Sequence, residues 1–224
     1  MTGGLFTEEA LPLQRKTASH LAGAVLGEWE SLEAQARALE CWETDPWAPK
    51  RLLEEVRFLP GVVLDPCTGT GVLSYAARAA GYAVLSQDIA DWGYPGLARL
   101  ADWLGDDALP DLGGLPFSVF MNPPFSRAVK FVDRALALGA QEVWCFQRFA
   151  WLESGERREF WDRINCETIW LCADRATCWL FTISMEERAA KGNVPIAHAW
   201  FHFLPGRRQG APSIRRLYKE RKAS

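Results

Sequence analysis

Short apolar runs alternate with longer, helix-spaced segments along the middle of this chain. The apolar runs occupy residues 62–65, 83–88, 117–121 and 142–146. Segments with helical spacing occupy residues 50–58, 72–80, 127–138 and 151–164, and residues 97–104 fit a helix or a turn. Alternating strands and helices indicate an α/β fold, with a mostly parallel twisted sheet and helices on both faces.

The two ends of the chain have different patterns. Residues 7–39 have a helical composition without visible chemistry, and β-like runs at residues 168–172, 179–183 and 199–203 predict a C-terminal antiparallel hairpin. The pattern therefore predicts an N-terminal helical extension over 1–42, a main domain over 43–205 and a basic C-terminal tail over 206–224.

Composition limits the classes of partner. The 224 residues are 49% hydrophobic and 24% charged, with a net charge of −3, so any affinity for nucleic acid must come from a local patch. The cations at the C-terminal end fit either a grip on phosphates or a solvated tail; they are Arg207, Arg208, Arg215, Arg216, Lys219, Arg221 and Lys222.

Three further features bear on location and metals. No apolar run approaches the roughly 20 residues that span a bilayer, and no signal-peptide pattern opens the chain. The six cysteines form no C-x-x-C pair, and the spacing of Cys166, Cys172 and Cys178 fits no common zinc pattern. We expect free thiols, a cytoplasmic protein, no membrane and no metal; the oligomeric state is not predicted.

The first candidate site is the string D-P-C-T-G-T-G over residues 65–71. An apolar run ends at Asp65, and a turn with Gly69 and Gly71 leads into a predicted helix. Glycines let a ligand approach the backbone, a helix start suits a carboxylate, and Asp65 can pair with an ammonium. Ser74 replaces the third glycine of the dinucleotide pattern, which disfavours NAD or FAD. The alternative is a tight strand–helix turn without a ligand.

Two acidic positions follow the glycine turn. Asp88 ends the next apolar run, where an acid can accept the hydroxyl protons of a ribose, or alternatively cap a helix. Asp102 can accept from an adenine amine while Trp103 covers the ring. Each signal is weak when it is judged alone.

The strongest string is Asn122-Pro123-Pro124-Phe125, directly after the apolar run 117–121. Two prolines remove two N–H donors and fix φ, which presents the Asn122 side-chain oxygen and the Pro123 carbonyl in one direction. These two acceptors can hold both protons of an exocyclic amine, and Phe125 can stack on a planar base. The alternative is a rigid loop with a buried asparagine.

Together, these strings resemble the S-adenosylmethionine-dependent amino-methyltransferases. Within them the chain is similar to the DNA N6-adenine methyltransferases, particularly small phage-type enzymes. W-A-P at 47–49 resembles their aromatic-x-Pro element, although Ala48 stands where threonine is common. R-F-A-W-L-E-S-G (148–155) and H-A-W-F (198–201) resemble downstream segments of the phage-type group.

The resemblance implies a Rossmann-like methyltransferase fold and S-adenosyl-L-methionine as the cofactor. It implies a DNA partner, duplex or single-stranded, with an adenine flipped out of the stack. The implied catalytic residues are Asn122, Pro123, Pro124 and Phe125. The implied cofactor-binding residues are Trp47, Asp65, Cys67, Gly69, Gly71, Asp88, Asp102 and Trp103. Trp47 can alternatively be a hydrophobic staple at a helix start.

Three other functions fit the same strings. Similar enzymes methylate RNA bases or protein glutamine, since the N-P-P-[FY] string is specific for a planar nitrogen rather than for DNA. A catalytically inactive module that still binds nucleic acid is the rival from another class, and the intact string 122–125 disfavours it.

Overall fold

The computed structural model describes residues 29–192, 196–207 and 210–220. Most of the predicted N-terminal extension lies outside the described residues. The helices of the described part are α1 (Leu32–Ala38), α2 (Trp47–Glu55), α3 (Val72–Ala79), α4 (Ala128–Ala137), α5 (Arg158–Arg163) and α6 (Met185–Lys191). The strands are β1 (Trp42–Glu43), β2 (Val62–Asp65), β3 (Val84–Asp88), β4 (Arg99–Leu100), β5 (Phe117–Met121), β6 (Val143–Arg148), β7 (Cys166–Cys172), β8 (Trp179–Leu180), β9 (His198–Phe203) and β10 (Ser213–Leu217).

One eight-stranded sheet dominates, with the order β10-β7-β9-β6-β5-β2-β3-β4. Neighbouring strands are parallel except at β9, which runs antiparallel to both β6 and β7. From β2 the chain continues outward to β3 and β4, then returns to β5 and β6 on the other side of β2. This reversal is the topological switch point of a Rossmann-like sheet, so the predicted fold class is confirmed.

Helices pack on both faces of the sheet. Successive side chains of a strand point to opposite faces, so each central strand contributes to two hydrophobic cores. On β5, Val119 and Met121 belong to the core beneath α4, while Phe120 belongs to the core beneath α2 and α3. On β6, Cys145 faces the first core and Phe146 the second. Such strands are apolar at nearly every position, which explains the continuous apolar runs of the sequence.

Several predicted elements differ from the structure in detail. The antiparallel pair near the C-terminus is β7 with β9, but the segment between them contains β8 and α6, and β8 pairs with β1 in a separate small sheet. Ser154, at φ 104°, interrupts the helix predicted over 151–164, and only α5 remains α-helical. Residues 97–104, for which the sequence predicts a helix or a turn, contain β4, where Arg99 and Leu100 pair with β3, and a turn at residues 103 and 104.

Part of the predicted basic tail belongs to the sheet. Ser213–Leu217 is β10, which pairs in parallel with β7 at the edge of the sheet. Arg215 places its guanidinium carbon 5.2 Å from the ring centroid of Trp170 on β7. Residues 208, 209 and 221–224 lie outside the described residues.

A buried carboxylate ties the amino-terminal edge of the sheet together. Glu142, 2% exposed, accepts hydrogen bonds from Ser118 Oγ at 2.9 Å, Leu59 N at 2.5 Å and Trp144 Nε1 at 2.9 Å. Its Oε2 also lies 2.9 Å from His202 Nε2. Burial raises the pKa of Glu142, but the hydrogen bonds outweigh it and hold the pKa below its usual value of 4.5.

We expect Glu142→Ala to lower the free energy of unfolding by about 3 kcal/mol, because it leaves buried donors unpaired. A depressed folded-state pKa stabilises above the unfolded pKa, so the stabilisation from Glu142 is complete above about pH 4.5 and lost as the pH falls further. Urea denaturation at pH 7 measures the loss, with the exposed Glu159→Ala as the matched control. Equal stability of the two variants would contradict a structural role for Glu142.

Candidate functional site

A cavity of about 170 Å³ lies at the carboxyl ends of the parallel strands. Asp65 ends β2 and Asn122 directly follows β5, and the topological switch point lies between these two strands. Open α/β sheets bind ligands in the crevice at this position. The fold therefore places both predicted halves of the site in one cavity.

Most of the predicted site residues line this cavity. They are Asp65, Cys67, Gly69, Asp88, Asp102, Trp103, Asn122 and Pro124. Trp47, Gly71, Pro123 and Phe125 are not among its lining residues.

Asp65 is a buried carboxylate with one oxygen already bound. Its Oδ2 accepts from Ser74 Oγ at 2.7 Å, and Ser74 Oγ also lies 2.7 Å from Ser86 Oγ. Its Oδ1 has no hydrogen-bond partner among the described residues. Desolvation raises the pKa of Asp65 to about 7, with a smaller upward contribution from Asp88, while the Ser74 hydrogen bond opposes them. A cationic ligand group would satisfy the unpartnered oxygen.

The two glycines of the donor loop, residues 66–71, have different roles. Gly69 lines the cavity, and a Cβ added there would lie 3.7 Å from the nearest atom, Cys41 Sγ. Gly71 has a left-handed φ of 92°, and an added Cβ would come within 2.3 Å of the Tyr94 ring. The absence of a side chain at Gly71 makes room for the Tyr94 ring, and the predicted contact of Gly71 with the cofactor stays a prediction.

The Asp88 carboxylate already accepts three hydrogen bonds from described residues, so it is not an acid left free for a ribose. Its Oδ2 accepts from Gly69 N at 2.8 Å, and its Oδ1 accepts from Ala90 N and Trp92 Nε1, both at 3.1 Å. Desolvation raises the pKa of Asp88 to about 6, and these hydrogen bonds oppose the rise. A carboxylate has about four acceptor positions, so one further hydroxyl can still bind.

Asp102 and Trp103 also line the cavity. Asp102 Oδ1 accepts from Leu104 N at 2.9 Å, which forms a local turn. Trp103 is 2% exposed, and its Nε1 donates to the carbonyl of Phe131 at 3.1 Å. The indole is thus fixed by the core, and it lines the cavity without a polar group to offer.

The Asn122 amide has a defined orientation. Its Nδ2 donates to the carbonyl of Trp42 at 2.8 Å and to Thr44 Oγ1 at 2.9 Å. A carbonyl can only accept, so the NH2 group must face Trp42 and the oxygen must face away. Oδ1 is buried and has no hydrogen-bond partner among the described residues. The Cys178 side chain also contacts this amide. Burial raises the pKa of the Cys178 thiol to about 12, so the thiol is neutral at pH 7 and a weak hydrogen-bond donor.

Phe125 lies beside the cavity in a cationic and aromatic setting. The guanidinium carbon of Arg148 is 4.8 Å from its ring centroid, and the buried ring of His198 is 5.9 Å away. Desolvation, with a smaller contribution from the Arg148 charge, lowers the pKa of His198 to about 4, so this ring is neutral at pH 7. The guanidinium occupies a ring face on which a base could stack.

Trp47 lies in the core and is not among the residues that line the cavity. It is the first residue of α2 rather than a residue ahead of the helix, and it is 8% exposed. It packs in the core that contains Leu52 and Phe146. This position favours the alternative of a packing role, and the role of Trp47 in the donor site stays a prediction.

Residues outside the predicted set also line the cavity. Trp92 donates a hydrogen bond to Asp88, and residues 38–44 line the cavity, where Glu43 accepts from Thr70 Oγ1 of the donor loop. Ser74 was noticeable in the sequence as the departure from the dinucleotide glycine pattern. Residues 38–44 had no such signal, because their contacts with Asn122 span about 80 positions of the chain.

Other site classes find no support in the described part of the chain. None of the six cysteines, all of which lie within the described residues, forms a disulfide. Residues 29–192, 196–207 and 210–220 contain no cluster of histidine, cysteine and acidic side chains suited to a metal ion. Within the same ranges, no helix is long and apolar enough to cross a bilayer.

No family model and no curated protein matches the chain. Similar solved structures include a putative RNA methyltransferase from Pyrococcus horikoshii, with 16% identity, a TM-score of 0.49 and coverage of 78% of this chain and 98% of that one. The 23S rRNA methyltransferase ErmE has 19% identity, a TM-score of 0.47 and coverage of 73% and 68%. The M protein of the type I restriction enzyme EcoKI has 16% identity, a TM-score of 0.49 and coverage of 77% of this chain and 49% of that protein. At these low identities and scores, the similarities say nothing of a substrate.

Proposed function

We propose that this protein is an S-adenosylmethionine-dependent methyltransferase that modifies the exocyclic N6 amine of adenine in DNA. The observation that carries the proposal is the orientation of Asn122. Both amide protons are used, and a buried acceptor oxygen is left unpartnered among the described residues of the cavity. Such an acceptor suits an N–H donor, and an exocyclic amine supplies one.

The residues of the donor half fit S-adenosylmethionine. Asp65 Oδ1 would accept the ammonium, and Asp88 would accept one ribose hydroxyl alongside its present partners. Asp102 and the indole of Trp103 would lie against the adenine. When bound, this cofactor supplies a methyl group on a positively charged sulfur. Asn122 and the Pro123 carbonyl would hold the accepting nitrogen in line with it, and alignment is the main demand of a direct displacement.

Charge near the acceptor loop, residues 122–125, favours a nucleic acid over a protein glutamine. Arg127 and Arg148 flank this loop, both are exposed, and neither guanidinium forms an ion pair with a described carboxylate. By contrast, Arg158, Arg163 and Arg188 pair with Asp162, Asp133 and Glu43. Uncompensated arginines beside a base-stacking ring suit the phosphates around a flipped nucleotide.

A panel of acceptors tests the proposed substrate class. The protein is incubated with methyl-labelled S-adenosylmethionine and, separately, with unmodified duplex DNA, single-stranded DNA, RNA and a glutamine-containing protein. We expect label in DNA. Label only in RNA or only in protein would reassign the acceptor to the corresponding rival function. Donor binding without transfer to any of these acceptors would favour the inactive nucleic-acid-binding module.

The two arginines predict a specific salt dependence. We expect Arg127→Gln and Arg148→Gln each to reduce the slope of log K against log salt for duplex DNA by about 0.9, since each removes one phosphate contact. Fluorescence anisotropy between 50 and 200 mM salt, concentrations typical of such titrations, measures the slope. Arg158→Gln is the matched control, because Arg158 is paired with Asp162 and should leave the slope unchanged. Unchanged slopes in the first two variants would remove Arg127 and Arg148 from the DNA contact.

A further inference from the structure

Residues 40–44 contact both halves of the candidate site, and we call this segment the clamp. Its Trp42 carbonyl and its Thr44 hydroxyl accept both hydrogen bonds of the Asn122 amide. Its Glu43 carboxylate accepts from Thr70 Oγ1 of the donor loop at 2.5 Å. One short segment thus reaches the residue proposed to bind the acceptor and the loop proposed to bind the cofactor.

The clamp is itself held at several points. Glu43 forms an ion pair with Arg188, whose guanidinium also donates to the carbonyl of Ile183 at 2.9 Å. The carboxylate of Glu40 accepts hydrogen bonds from the backbone N–H and the hydroxyl of Ser126. Pairing of β1 with β8 adds backbone hydrogen bonds. These anchors leave the Trp42 carbonyl and the Thr44 hydroxyl little freedom to move.

Glu40 lies just after the end of α1 and also contacts the residue next to the acceptor loop. Its φ is 52°, the left-handed value common directly after a helix end. The turn is closed by hydrogen bonds from Cys41 N to the Ala36 carbonyl at 2.8 Å and from Glu40 N to the Arg37 carbonyl at 3.2 Å. From this fixed position the Glu40 carboxylate accepts from the backbone N–H of Ser126, the residue that follows the acceptor loop.

The Asn122 amide needs hydrogen-bond partners that fix which of its two ends, the oxygen or the NH2 group, faces the substrate. The final torsion of an asparagine is broad and roughly two-fold, so an unrestrained amide also populates the flipped state. In the flipped state an NH2 group replaces the acceptor oxygen and repels the N–H of a substrate amine. Thr44 is 2% exposed, and its Oγ1 lies 2.9 Å from the Asn122 Nδ2.

We infer that the clamp orients Asn122 for the acceptor amine: the Trp42 carbonyl, which can only accept, sets which way the amide faces, and Thr44 is a positioning residue that acts through Asn122 by holding the amide in that orientation. The inference rests on the proposed function, because it assigns a purpose to the acceptor oxygen. It also extends the site to residues 40–44, which the sequence pattern places at the boundary between the N-terminal extension and the main domain without assigning them a role.

Two measurements on the full chain test the inference. The first is hydrogen exchange of the Asn122 side-chain amide by NMR, assigned from its disappearance in Asn122→Ala. We expect both protons to exchange at least tenfold more slowly than those of Asn165, whose Nδ2 donates to the Pro205 carbonyl near the surface at 3.4 Å. In Thr44→Val the exchange should accelerate at least fivefold, and in Thr44→Ser it should return to the wild-type rate. This readout does not depend on any reaction.

The second measurement is the single-turnover rate of methyl transfer with saturating donor. We expect Thr44→Val to lower the rate 10- to 100-fold with the affinity for S-adenosylhomocysteine unchanged, and Thr44→Ser to restore it. Thr182→Val is the matched control, because Thr182 Oγ1 has no partner among the described residues and Thr182 lies two residues after β8, the strand that pairs with β1.

The outcomes separate the two proposals. Fast wild-type exchange, or unchanged exchange in Thr44→Val, would overturn the clamp, whatever the activity. Normal transfer by Thr44→Val beside a defective Asn122→Ala would also overturn it while leaving the proposed function intact. Protected exchange that depends on Thr44, together with no transfer by the wild type, would sustain the orientation of Asn122 and overturn the methyltransferase function.

Discussion

Asn122→Ala is expected to bind the cofactor normally and to transfer methyl groups 100- to 1,000-fold more slowly, the usual cost of losing one preorganised polar contact. The Asn122 side chain donates to Trp42 and Thr44, and none of its hydrogen bonds goes to the donor loop. Its loss therefore removes the acceptor for the substrate amine and leaves Asp65 and Asp88 in place.

Calorimetry with S-adenosylhomocysteine and single-turnover transfer measure the two effects separately. Asn165→Ala is the matched control, since the Asn165 side chain makes one long hydrogen bond to the described residues, from Nδ2 to the Pro205 carbonyl at 3.4 Å. A variant that lost cofactor binding as well would place Asn122 in the donor half. A variant that transferred at the wild-type rate would remove Asn122 from the reaction.

Asp65→Asn is expected to weaken cofactor binding at least 100-fold, because the buried carboxylate is the proposed partner of the ammonium. Its pKa of about 7 also predicts a pH dependence. Only the ionised form attracts a cation, so wild-type affinity should rise about fivefold from pH 6 to pH 7 and level off above it. Asp65→Asn should lose this dependence between pH 6 and pH 7.

Asp65→Asn should weaken cofactor binding, but it should not lower the stability of the ligand-free protein at high pH. An acid with a raised folded-state pKa contributes stability that is present below its unfolded pKa and lost as the pH rises through the folded pKa, here about 7. Ligand-free Asp65→Asn should therefore be at least as stable as the wild type at pH 8. Thermal denaturation at pH 8 separates lost binding from unfolding, and Glu167→Gln, an exposed acid, is the control. Wild-type affinity in Asp65→Asn would contradict the role of Asp65.

The strands, and the polar residues at their carboxyl ends, were predictable because the pattern that marks each of them lies within a few neighbouring residues. A buried parallel strand is a short apolar run, and the residue that follows it reaches the carboxyl edge of the sheet. Asp65, Asp88 and Asn122 could be placed together from this rule alone, and the structure confirms that all three line one cavity. Ser74 also carried a local signal, although its bond to Asp65 needed the structure.

The features that the sequence did not predict depend on contacts between distant parts of the chain. Thr44 approaches Asn122 from 78 positions away, and no local pattern marks its hydroxyl as an acceptor. Gly71 belongs to a glycine turn typical of ligand sites, yet its space is taken by Tyr94. Arg215 was one cation of a basic run, and only pairing with β7 shows that it belongs to a strand.

The identity of the methylated nucleoside tests the central claim most directly. Unmodified duplex DNA is incubated with the protein and methyl-labelled S-adenosylmethionine, then digested to nucleosides and separated by chromatography with mass detection. The unpartnered oxygen of Asn122 predicts an acceptor that carries N–H donors, so the label should appear in N6-methyl-2′-deoxyadenosine and should be absent with Asn122→Ala. Label on a ring carbon, or in any nucleoside other than an exocyclic-amine derivative of adenine, would contradict the account.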